Sequence, residues 1–79
     1  MTYNATRAYS TAMEEAKKLG ENLKRLRMAK DISQGDIARA LDVHKGYISN
    51  IENGKVNPTL ATIAKLAKAI GVSVGKLME

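Results

Sequence analysis

A chain of 79 residues with 13 Lys and Arg against 8 Asp and Glu, a formal charge of +5 and no Cys has room for one small domain. Neither a disulfide framework nor a thiolate metal site can support it, thiol redox chemistry is excluded, and the lack of cysteine fits a reducing compartment. The positive balance favours a polyanionic partner.

No apolar run approaches the length of a membrane span, and MTYNATRAYSTAMEEA lacks a basic start followed by an apolar block, so a soluble, cytoplasmic chain is expected. Met1 to Ser10 carry Tyr3, Arg7 and Tyr9 but no sustained apolar period, and read as a flexible extension (1–10) ahead of a domain at 11–79. Thr11 with Glu14 three residues on has the form of a capping box. Ala16, Leu19, Leu23 and Leu26 follow at intervals of three and four, which predicts a first helix from about Ala12 to Ala29. Gly20 lies inside it at a cost in propensity, implying either a close packing contact or a slight break.

Asp31 and Ile32 make the next turn, with Ile32 as its apolar plug. Ser33 caps a second helix, and Asp36 completes a shortened capping box with a charge suited to the helix N-terminus. This helix ends near Leu41, where Asp42 takes a sharp turn that Asp tolerates better than most residues. A third helix spans about Lys45 to Glu52 and is closed by Asn53 and Gly54; the flanking helical periods argue against a hairpin there. Thr59 caps a fourth helix with Leu60, Ile63, Leu66, Ala67 and Ile70 on one face, and Gly71 stops it. Val72 fills the last turn, and Ser73 caps a short helix carrying Val74, Leu77 and Met78. Five helices with short connections and no credible strand predict an all-α bundle.

The segments LGENLKRLR, ISQGDIARAL, VHKGYISNIENGKVNP and LATIAKLAKAIGVSVGKL together resemble the XRE family of phage-repressor and Cro-like helix-turn-helix proteins, over about Leu19 to Leu77. In size and layout the chain is similar to restriction-modification controller proteins and small phage repressors. The resemblance implies a lambda-repressor-like DNA-binding bundle whose helix-turn-helix is formed by the second and third helices. The third helix would lie in the major groove of double-stranded DNA while the second spans the phosphates. Lys45 can donate to guanine O6 and N7, and Asn50 can pair with adenine N6 and N7. Ser49 can reach either base type, and Gly46 leaves room for a thymine methyl.

The family places a glutamine such as Gln34 against phosphate and against the recognition helix. It also pairs an arginine such as Arg27 with the glutamate closing that helix, here Glu52, and lends the arginine's charge to a phosphate. Asn53, Lys55 and Asn57 would contact phosphates from the following loop, and Tyr47 either contacts the backbone or shields the turn. His44 stands where the family has Ser or Thr as the cap of the recognition helix; histidine caps poorly, and a phosphate contact is its expected role. As the lone histidine in a chain without cysteine it has no companions for a metal site.

A half-site of about five base pairs specifies too little, so a homodimer with recognition helices about 34 Å apart is expected. Its candidate surface is the last helix with Ile70, Val74, Leu77 and Met78, although Val74 and Leu77 could equally close the monomer core. Tyr3, Arg7 and Tyr9 offer a second dimer contact or an arm along the DNA.

Nothing points to catalysis. Gly71 to Leu77 has the look of a phosphate loop but three residues between its glycines where four are needed, and no acid–base pair recurs at a useful spacing. The reading is a sequence-specific transcription regulator on a palindromic operator, with no cofactor, small-molecule ligand or membrane partner. The alternative is an antitoxin-type module that binds a toxin and, secondarily, DNA.

Overall fold

The apolar spacings resolve into α1 (Ala5–Ala29), α2 (Gln34–Leu41), α3 (Lys45–Glu52), α4 (Leu60–Ile70) and α5 (Val74–Met78) in a computed structural model that describes residues 5–79, with side chains from Ala12 onward. The described residues contain no strand. α1 begins at Ala5, well before the expected start near Ala12, and runs straight through Thr11. The reason is local: no Pro or Gly interrupts residues 5–19 and Ala recurs there, so nothing forces the helix to open at Thr11. Of the extension read at residues 1–10, Met1 to Asn4, Tyr3 among them, and the side chains of Arg7 and Tyr9 lie outside the described residues.

α1 is the strut on which the other helices pack. Leu19, Leu23 and Leu26 form its inner stripe against Ile37 and Ala38 of α2, Ile48 and Ile51 of α3, Ile63, Leu66, Ala67 and Ile70 of α4, and Leu77 of α5. Leu23, Ile48, Ile51, Leu66 and Leu77 are wholly buried, each contributing about 1.5–3 kcal/mol of transfer free energy. The strut also satisfies the carboxyl ends of two distant helices. Lys30 Nζ donates to the Ile70 and Gly71 carbonyls at 2.9 and 3.3 Å, and Asn22 Nδ2 donates to the Leu77 carbonyl at 3.0 Å.

Three of the junctions share one backbone plan. Asp31 (φ 55°), Asp42 (φ 58°) and Gly71 (φ 80°) each adopt the left-handed conformation at the end of a helix. The next residue, Ile32, Val43 or Val72, packs on the core and returns its N–H to the carbonyl five residues back, at 3.1, 2.9 and 3.0 Å. The third residue, Ser33, His44 or Ser73, is the N-cap of the following helix. Packing of the plug on the core outweighs the local penalty of placing aspartate at positive φ, which is about 1–2 kcal/mol.

Candidate nucleic-acid interface

α3 is amphipathic in the simplest sense: Ile48 and Ile51 face inward, both 0% exposed, and the opposite side is polar. Lys45, Ser49 and Asn53 recur four residues apart along that side, with Gly46 and Asn50 in the neighbouring row. Lys45, Gly46, Asn50 and Asn53 are exposed, while Ser49 is half-buried and Asn53 Nδ2 reaches its hydroxyl at a long 3.5 Å. The expected base-reading residues therefore share one outward face. Tyr47 is half-buried against the core; Lys55 and Asn57 are exposed on the loop that follows α3.

One carboxylate organises the carboxyl end of this helix. Glu52 is buried, with 2% of its side chain exposed, and all of its partners come from other elements. Arg27 Nε donates to Glu52 Oε2 at 2.7 Å and Arg27 Nη2 to Oε1 at 3.1 Å, the two-pronged geometry that suits a planar guanidinium. Gln34 Nε2, on the first turn of α2, donates to Oε1 at 2.9 Å. Arg27 Nη1 also donates to the Ile32 carbonyl at 2.8 Å, so the same side chain ties the α1–α2 turn to α3. No buried side-chain nitrogen or oxygen among the described residues lacks a partner.

This arrangement bears on two expectations and corrects the second. Arg27 is only 12% exposed at the side chain, and each of its nitrogens donates inside the protein, so its main work is to brace α3, with two N–H groups left over for a phosphate. Ile70 and Leu77 are 2% and 0% exposed within a single chain and have no surface to give a dimer. Of the residues assigned to that surface, Met78 is 41% exposed and Val74 half-buried. Two features had no counterpart in the sequence reading, the Arg27–Ile32 bond and the long-range caps from Asn22 and Lys30. Their partners lie far away in sequence or are main-chain atoms, which leave no residue-type signal.

The amino end of α3 is held differently from that of α2. Ser33 accepts the Asp36 N–H at 2.9 Å, while Asp36 Oδ2 accepts the Ser33 N–H at 3.0 Å, a complete capping box. The Ser33 main-chain N–H first, and the Ser33 hydroxyl beside the carboxylate second, hold the Asp36 carboxyl below its ordinary value of 3.8, with Arg39 adding to the effect against a desolvation cost. His44 has the extended cap conformation (φ −71°, ψ 144°) but makes no side-chain bond to α3, which begins at Lys45 all the same. The expected poor cap is thus a missing hydrogen bond without a shifted helix start.

Residues 23–77, which include every helix-turn-helix contact just described, match the helix-turn-helix family. The chain belongs to that family. Among its relatives, the transcriptional regulator DdrOP3 of Deinococcus deserti is 39% identical over 78% of this chain, which spans about half (48%) of that longer protein. The control protein C.MunI of a Mycoplasma species is 38% identical over 78% of this chain and 85% of its own. Among solved structures, the restriction-modification controller protein C.AhdI of Aeromonas hydrophila superposes with a TM-score of 0.76 at 33% identity, covering 81% of this chain and 97% of its own. This helix-turn-helix protein is accordingly a DNA-binding transcription regulator of the XRE family. No helix among its described residues is long and apolar enough to cross a membrane.

Proposed function

We infer that the protein regulates transcription by occupying a two-fold symmetric operator as a homodimer, in the manner of a restriction-modification controller or small phage repressor. The observation that carries this reading is the polar face of α3, with Lys45, Gly46 and Asn50 exposed together on a helix whose far end is clamped through Glu52. An exposed helix of this length fits the major groove, where Lys45 donates to guanine and Asn50 pairs with adenine. Ser49 reaches a neighbouring base edge, and Gly46 lets the backbone approach.

Phosphates on either side are met by Gln34, whose second amide N–H is not used by Glu52, and by His44, Tyr47, Asn53, Lys55 and Asn57. Met78 and Val74 on α5 supply the apolar part of the dimer surface, and the protein works in the cytoplasm, where its operator is. Binding-site selection from random duplexes, repeated across salt, tests the reading. It should return an inverted repeat with half-sites one helical turn apart and a log–log salt slope of about −0.9 per phosphate contact. Selection that yields no repeat would contradict it, and a toxin-binding module would then be the better account.

A further inference from the structure

α1 and α3 touch backbone to backbone, and two glycines allow it. A Cβ on Gly20 would lie 2.3 Å from the Ile51 carbonyl oxygen and 2.6 Å from that of Glu52. Both are main-chain atoms of the last turn of α3, which cannot swing aside as the end of a side chain can. About one turn earlier on α1 the seam is closed from the other side: a Cβ on Gly54 (φ 70°) would lie 3.0 Å from Lys17 Cα and 3.3 Å from Lys17 Cβ. Gly20 is a poor residue for a helix interior on propensity alone. The sequence left it open as a contact or a break, and α1 is unbroken across it.

This seam lies directly beyond Asn50 and at the same end of α3 as the Glu52 clamp, whereas the other end has no side-chain cap. The amino end of α3 is anchored through the Val43 plug and Ile48, so with that end as the pivot the approach at the carboxyl end sets the tilt of the whole reading face. We propose that Gly20 is a positioning residue for DNA reading: the missing Cβ fixes how closely α3 sits on α1 and so aims Lys45 and Asn50 at the bases. The proposal rests on the base-reading role of α3 given above.

Relieving a Cβ 2.3 Å from the Ile51 carbonyl oxygen requires α1 and the end of α3 to part by about 1 Å, while base-edge hydrogen bonds tolerate only a few tenths and functional sites about 0.5 Å. Phosphate contacts made by a flexible lysine stem accommodate such a shift. Sequence-specific binding should thus fail before non-specific binding does.

The test compares the wild type, Gly20→Ala, Gly54→Ala and Val72→Ala for affinity to the selected operator and to a scrambled duplex of equal length, with folding checked by circular dichroism. Val72 sits at the α4–α5 junction, away from the seam, and serves as a destabilised control. Gly20→Ala should lose about 10- to 100-fold on the operator, the worth of one bidentate base contact, and about twofold or less on the scrambled duplex. Gly54→Ala adds the strain of an alanine at φ 70° beside the phosphate-gripping loop, so it is read as the ratio of operator to scrambled affinity, which should fall, and that ratio decides the matter if Gly20→Ala does not fold. Val72→Ala should melt earlier with its operator preference intact. Equal losses on both duplexes, or an unchanged preference in a folded Gly20→Ala, would overturn the proposal while leaving the DNA-binding reading in place. A wild type with no preference between duplexes would overturn that reading itself.

Discussion

The junction ahead of α2, Asp31–Ile32–Ser33, and the junction ahead of α3, Asp42–Val43–His44, follow the same backbone path and differ in what they do for the helix that follows. Ser33 closes a reciprocal box with Asp36, and His44 makes no bond. The helix that serves as scaffold is secured where it begins. α3 is secured at its side where it ends, by Glu52 and the glycine seam, and Lys45 and Gly46 on its first turn are exposed. The contacts that hold α3 are placed away from its exposed polar face, the face that meets the bases on the function proposed above.

The clamp is the place where this comparison breaks most severely. Glu52→Gln removes the charge from a buried ion pair and leaves Arg27 facing a neutral amide, an expected loss of about 3 kcal/mol in urea unfolding together with weaker operator binding. An unchanged unfolding midpoint would mean that α3 is held mainly by its apolar face. The two caps give the next effect. Ser33→Ala should cost about 1 kcal/mol, whereas His44→Ala should change stability by much less, because no cap bond is lost. Thermal melts of the two variants side by side would sharpen the contrast; equal losses would erase it.

The smallest effect is on pH. Asp36 is held below 3.8, chiefly by the Ser33 main-chain N–H, so its contribution is complete above that value and disappears as pH falls through the lowered folded value. Acid melts should lose that part of their slope in Asp36→Asn. No acidic residue occupies the first turn of α3, so that end has no carboxylate to match Asp36.

What could be read from the sequence follows the same division between local and remote. Ser33, Thr59 and Ser73 cap as expected because a cap and its partner are three residues apart. Asp42 turns left-handed as expected because the plug after it and the apolar period around it are visible in one short window. The same local pattern places the start of α1 too late, at Ala12 against Ala5, since Thr11–Glu14 carries no information about whether the helix is already under way. Gly20 could not be decided because the atoms it meets, the carbonyls of Ile51 and Glu52, belong to the backbone of another helix. The inward turn of Arg27 and the burial of Ile70 and Leu77 depend on how five helices close around one core, which periodicity along a single helix does not specify.

The central claim is that α3, clamped from behind, reads bases with Lys45 and Asn50 while the following loop grips phosphates. It is tested most directly by measuring Asn50→Ala and Lys55→Ala against a panel of single-base operator variants at fixed salt. Asn50→Ala should lose about 1–3 kcal/mol of discrimination at one base position, and Lys55→Ala should weaken every duplex alike and reduce the salt slope by about one contact. An Asn50→Ala protein that bound all variants with the same proportional loss would contradict the account.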